Sequence, residues 1–153
     1  MQNWRFKTFA MNSTVALKLL SGTWPELGMH WDNYIKETYN DGKEERSDYI
    51  DVCEINQFVF DKLNKKDFNN FDEFFSRVET ILIECDEFTE NLIVVGLLEG
   101  LQNQCGDDFD YHTGFDQWLK PKTKKAWDEI IHFWESDETK KAWEEMQNKK
   151  KGY

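Results

Sequence analysis

Apolar residues recur at helical spacing along most of the chain, and the breaks between runs fall at glycines, prolines and acidic pairs. The most apolar run, Leu92 to Leu98, is interrupted only by Gly96 and continues through Leu101. A short buried strand at Leu92 to Val95 is the competing pattern, but the run outlasts normal strand length and predicts a buried helix over 89–103. Phe88 reads as its staple residue, Thr89 as its N-cap, and Glu90 as a first-turn acid favoured by the helix dipole. Such a run suits a helix covered on several sides. Gly96 and Gly100, four apart, share a face on which a neighbouring backbone could come close.

The remaining pattern places further helices around this one. A short helix from Ser13 to Leu20 stops at Ser21-Gly22. The next begins at Trp24-Pro25, carries Leu27, Trp31, Tyr34 and Thr38 on one face, and ends at Asp41-Gly42. After a charged loop from Lys43 to Asp48, a helix over 49–63 presents Val52, Ile55, Val59 and Leu63. Asn69 or Asn70 then caps a helix with Phe71, Phe74, Phe75, Val78, Ile81 and Leu82 inward and Asp72 and Glu73 in its first turn. Its end near Cys85-Asp86 leaves so short a connection that it and the apolar helix should be antiparallel neighbours. Residues 104–114 read as a loop, with one helical turn at Phe115 to Leu119. Thr123 starts a helix with Trp127, Ile130, Ile131 and Trp134, and Ser136 or Asp137 caps a last one holding Trp143 and Met146. Flanking these are an aromatic arm over 1–12 and a basic, frayed tail over 147–153. The expected fold is all-α, a single domain of about seven helices around the central one.

Composition supports a folded core: 153 residues with 39% hydrophobic content, seven Trp and twelve Phe suffice for one domain without staples. Charge changes the picture more. The net charge of −11 is concentrated in residues 26–116, where 23 acids stand against 7 bases. That distribution argues against direct nucleic-acid binding, which draws on Lys and Arg, and fits a partner that is itself basic. No stretch is long enough to span a membrane, and the first twenty residues lack the apolar core of a signal peptide. The expected location is the cytoplasm.

Candidate chemistry is sparse. There is no phosphate loop, no zinc-protease motif and no nucleophile elbow. Glu129 and His132 form half of the Glu-x-x-His pattern of two-metal bundles, without the second half, so a half-buried histidine beside Trp134 is expected. Asp108, Asp110, His112 and Gly114 only superficially match a calcium loop, because the glycine falls late and Leu119 occupies the closing position. His30 could pair with Glu26 one turn earlier. Cys53 and Cys85 should be inert packing residues, and carboxylates around Cys105 should raise its pKa. No catalytic residue, metal or cofactor is expected.

Three acidic clusters contain or adjoin rings: Asp41 to Asp51 with Tyr49; Asp86, Glu87 and Glu90 with Phe88; and Asp107, Asp108 and Asp110 with Phe109, Tyr111 and His112. Carboxylates steer a basic partner while rings supply desolvated anchors. Trp24-Pro25-Glu26-Leu27, Tyr49-Ile50-Asp51-Val52 leading into Phe58-Val59, and the stretch from Phe71 to Asn103 with its NLIVVGLLEGLQN core resemble small acidic bacterial immunity proteins of contact-dependent growth inhibition and related polymorphic-toxin systems. The resemblance covers residues 24–103. It implies a non-enzymatic antitoxin that masks the basic cleft of a cognate toxin C-terminal domain, commonly a nuclease; a monomer or weak dimer is expected, and the charge and the lack of a long apolar stretch predict no direct nucleic-acid or membrane contact. The expected toxin-binding residues are Asp107, Asp108, Asp110, Tyr111 and His112, then Asp86, Glu87 and Glu90. A helical metal-binding enzyme or storage protein using Glu129 and His132, and a helical adaptor for another basic partner, are the alternatives.

Overall fold

The first helix, α1 (Ser13–Ser21), starts where the Asn12 side chain accepts the Val15 N–H at 3.0 Å. The computed structural model describes residues 10–106 and 108–151, so Trp4, Phe6 and Phe9 of the aromatic arm and the last two residues lie outside the described residues. Five further helices in the expected places are α2 (Pro25–Thr38), α3 (Asp48–Asn64), α4 (Phe71–Glu84), α6 (Pro121–Glu135) and α7 (Asp137–Lys151). Helix α5 (87–105) is the central one. With these seven helices and no strand among the described residues, the fold is all-α. Extended pairing is confined there to a single bridge, in which the Met11 N–H donates to Glu84 O at 2.8 Å and the Asp86 N–H to Met11 O at 2.9 Å.

Helix α5 departs from the expected pattern in three ways. It starts two residues early, because Asp86 and not Thr89 is the N-cap, its carboxylate accepting the Thr89 N–H at 2.8 Å. The Thr89 side chain is buried, and Phe88, instead of stapling the helix end, is exposed. Between α-helical Glu87–Asn91 and Glu99–Cys105, the stretch Leu92–Leu98 is a π-helix, with the Glu99 N–H reaching back five residues to Val94 O. That wider turn brings residues four apart nearly into line. One row, Leu92, Gly96 and Gly100, faces α3: a Cβ at Gly96 would lie 3.0 Å from Val52, and one at Gly100 would overlap the Asn56 amide. The close neighbour is therefore a side chain, not the anticipated backbone. Asn56 Nδ2 donates to Gly96 O at 2.7 Å, an insertion into the helix ladder of the kind that deforms helices. Gly100→Ala should cost about 1–3 kcal/mol in chemical denaturation by displacing this amide.

Helix α5 is covered on two sides, not all round: Leu92, Ile93, Leu97, Leu98, Leu101 and Cys105 are buried, whereas Val95 is exposed. The aromatic half of the core lies against α4. Trp24, ahead of α2, packs on Phe58, Phe71 and Phe74 and donates its Nε1–H to Asn69 O at 3.0 Å. Phe115, Trp118 and Trp127 extend this cluster to α6, and the turn at Phe115 forms as expected, its carbonyl accepting the Trp118 and Leu119 N–H groups.

Pro25 and Pro121 each stand in the first turn of a helix, where no N–H is missed. Helix α6 starts at Pro121, two residues before the expected Thr123, and its cap comes from elsewhere in the chain. The Glu79 carboxylate of α4 accepts the Lys122 N–H (3.0 Å), the Thr123 N–H (2.8 Å) and the Thr123 hydroxyl (2.8 Å). Burial opposes ionisation of Glu79, but these donors outweigh it and hold its pKa below the ordinary 4.5. The cap's contribution is thus present above that ordinary pKa and is lost as pH falls through the depressed value. Glu79→Gln should cost about 1 kcal/mol at neutral pH, and the gap to the wild type should shrink in acid unfolding curves.

At the C-terminal end, Trp134, Trp143 and Met146 are exposed, and His132 is exposed instead of half-buried. Helix α7 runs to Lys151, and Gly152 and Tyr153 lie outside the described residues.

Candidate interaction surface

The acidic cluster of Asp41 to Asp51 divides into a structural and a surface part. Asp51 is fully buried and accepts the hydroxyls of Tyr34 at 2.9 Å and Tyr39 at 2.5 Å, with Arg46 Nε at 3.7 Å. The Arg46 guanidinium lies 6.0 Å from the Trp31 and Tyr39 ring centroids, and the Tyr39 hydroxyl in turn accepts the Ser47 N–H at 3.0 Å. Burial first, then the Asp51 hydrogen bond, raises both tyrosine pKa values, so each hydroxyl stays a donor. This network pins the turn after α2, where Asn40, Asp41 and Gly42 all adopt positive φ. Asp41, Glu44 and Glu45 remain exposed.

The N-terminal ends of α1, α3 and α5 meet, and two expected clusters meet with them. The Ser13 hydroxyl donates to Asp48 at 2.6 Å, and the Tyr49 ring meets the Phe88 ring edge-to-face, centroids 6.0 Å apart at 87°. Tyr49 is 42% and Phe88 52% exposed, and Glu87 and Glu90 beside them are exposed as well. Asp86 is committed to its cap. From Phe88 the outward row of α5 continues through Asn91 and Val95 to Glu99. Trp134 of α6 donates its Nε1–H to Glu99 at 2.9 Å. Exposed rings with carboxylates beside them therefore stand at both ends of this row, Tyr49 and Phe88 with Glu87 and Glu90 at one and Trp134 with Glu99 at the other, an arrangement fit to hold cationic side chains against aromatic faces.

The loop after α5 is organised differently. Asp107 lies outside the described residues. Asp108 is exposed, but Asp110 accepts the Thr113 hydroxyl at 2.8 Å and the His112 N–H at 3.0 Å. These two contacts, Thr113 first, hold its pKa below the usual range. His112 stacks on Tyr111, with ring centroids 4.5 Å apart, and its Nε2 lies 2.6 Å from Glu135. Tyr111 is half-buried and its carbonyl accepts the Trp127 Nε1–H at 2.7 Å. This loop is tied to α6 through Tyr111 and His112, and Asp110 is used in holding the loop's own turn.

The reactive candidates are dispersed. His30 lies 2.9 Å from Glu54 on α3, not beside Glu26, which faces Lys62 at 3.9 Å. Cys53 is exposed, contrary to expectation. Cys105 has its pKa raised to about 11 by burial, not by neighbouring carboxylates, and burial leads the upward shift of Cys85. Glu129 and His132 are both exposed, and among the described residues no group of three or more His, Cys, Asp or Glu side chains converges as metal ligands would. No helix among those described is long and apolar enough to cross a membrane.

A family model described as a domain of unknown function, DUF7674, matches residues 17–135. No curated protein and no solved structure matches the chain.

Proposed function

This chain belongs to the DUF7674 family, and we propose that it is a non-enzymatic immunity protein that binds a cognate nuclease toxin domain and covers its basic cleft. The observation that carries the reading is the half-exposed Tyr49–Phe88 pair with Glu87 and Glu90 beside it. It is supported by the excess of 16 negative charges in residues 26–116 and by the resemblance of residues 24–103 to toxin-neutralising proteins. The pair supplies apolar anchors, and the carboxylates supply attraction for the Lys and Arg that a nuclease uses on phosphate.

Of the two acidic ends of α5, the N-terminal one is the better anchor, because among the described residues its carboxylates at Glu87 and Glu90 have no hydrogen bonds of the kind that occupy Asp110. A nuclease toxin domain encoded beside this protein would be the natural test partner. Charge reversal at Glu87 and Glu90 should slow association at low salt more than reversal at Asp108 and Asp110, with little change in stability. Stopped-flow binding separates the two. Equal rates for all four variants and the wild type would remove both clusters from the interface.

A further inference from the structure

The outward row of α5 is built alike at its two ends. At the first, the Tyr49 and Phe88 rings meet edge-to-face with Glu87 and Glu90 beside them. At the second, Trp134 of α6 is 45% exposed, meets Phe133 edge-to-face at 5.3 Å and 82°, and donates its Nε1–H to Glu99 at 2.9 Å. That hydrogen bond fixes the indole plane, and a carboxylate on the N–H polarises the ring so that its face is more negative. Indole is the side-chain ring that holds a cation best. Each end therefore offers a cation both a ring face and a carboxylate. Phe88 and Glu99 are eleven residues apart, at most about 16 Å along α5.

The charges indicate what spans the two ends. Helix α5 carries Glu87, Glu90 and Glu99 and no Lys or Arg, so each end attracts a cation. Between them only Asn91 and Val95 stand in the row. On the α6 side, Lys125 and Lys122, which donates to Leu82 O at 3.3 Å, line a groove with Glu90 and Val94. Bases along the whole of a partner would meet these lysines, so the charges favour a cation at each end and none between. The described residues hold no strand to extend, so an extended segment finds no edge to pair with. A helix satisfies its backbone within itself. Residues eleven apart on an α-helix return to the same side after three turns and lie about 16 Å from each other.

We propose that this face receives a helix of the partner bearing two basic side chains eleven residues apart, one over Tyr49 and Phe88 and the other over Trp134, with Glu99 holding the indole in place. The inference rests on the reading of this face as the partner-binding surface and names the element that binds there.

An alanine-rich helical peptide with two arginines eleven residues apart tests this against one of the same composition with its arginines four apart. Each is titrated into the full chain and followed by proton–nitrogen NMR, with the indole N–H signal of Trp134, assigned from Trp134→Phe, as the reporter. The widely spaced peptide should bind about fivefold tighter or more, and should shift both that indole signal and the backbone signal of Phe88. Trp134→Ala, and separately Tyr49→Ala with Phe88→Ala, should reduce its affinity to that of the closely spaced peptide. Glu99→Gln keeps an acceptor for the indole, so the free protein's indole signal should stay in place while peptide binding weakens and loses part of its salt dependence. Equal affinity for the two peptides, no binding of either, or an affinity unmoved by Trp134→Ala would each overturn the proposal. No nuclease enters this readout, so a chain that binds the widely spaced peptide but inhibits no toxin would contradict the proposed function alone.

Discussion

Asp51→Ala is expected to lower the unfolding free energy by about 3–5 kcal/mol, read as a shift of the urea midpoint. Its carboxylate is fully buried and is the shared acceptor for the Tyr34 and Tyr39 hydroxyls, with Arg46 close by. Removing it leaves several polar groups without a partner in a place water does not reach, and each such group costs about 1–3 kcal/mol. Against a total stability of about 5–15 kcal/mol for a domain of this kind, that loss is large. Asp51→Asn keeps an oxygen acceptor and should lose about half as much. The tyrosines add a pH signature. Their raised pKa values mean that stability is fully present below their ordinary pKa of 10.0 and declines as pH rises above it, since the unfolded chain ionises first. Alkaline titration of the wild type should show this decline, and Tyr34→Phe should reduce it.

On the proposed function, Tyr49→Ala combined with Phe88→Ala should weaken toxin binding by about 2–4 kcal/mol, roughly thirtyfold to several hundredfold in Kd. Both rings are about half exposed, so the double variant should fold with an unchanged far-ultraviolet spectrum. Isothermal titration against the cognate toxin domain reads the loss directly. Because the rings pack on each other edge-to-face, the single changes should not add: losing either ring frees the other to reorient. An unchanged Kd for the double variant would place the toxin elsewhere on the molecule.

Much of the helical order was legible from periodicity. Phe71, Phe74, Phe75, Val78, Ile81 and Leu82 repeat at threes and fours and are all buried in α4, and Pro25 marks the start of α2. What was not legible depends on groups distant in sequence. The π-helical turn follows from the fit of α5 against Val52 and Asn56 of α3, and a run such as Leu92 to Leu98 has the same composition in either helix type. The cap of α6 comes from Glu79, 44 residues before Thr123. Asp51 looks like a surface acid in the sequence, since only the fold brings the two tyrosine hydroxyls to it. Trp143 and Met146 have the spacing of core residues, yet nothing among the described residues buries them.

The candidate surface was half legible. Its members were visible as acidic clusters with rings, but the sequence alone favoured the loop after α5, where Tyr111 and His112 accompany the acids. The fold joins the other two clusters, through Tyr49 and Phe88, and adds Trp134 by way of Glu99. The row Phe88, Asn91, Val95 and Glu99 has the spacing of one helix face, but only the fold shows that this face is the outward one.

Titrating the purified chain into the reaction of the nuclease toxin domain that the proposed function assigns to it, at low and at high salt, tests the central claim most directly. The account predicts stoichiometric inhibition at low salt, with an apparent Kd that rises steeply as salt screens the carboxylates. Full nuclease activity in the presence of excess protein at both salt concentrations would contradict it.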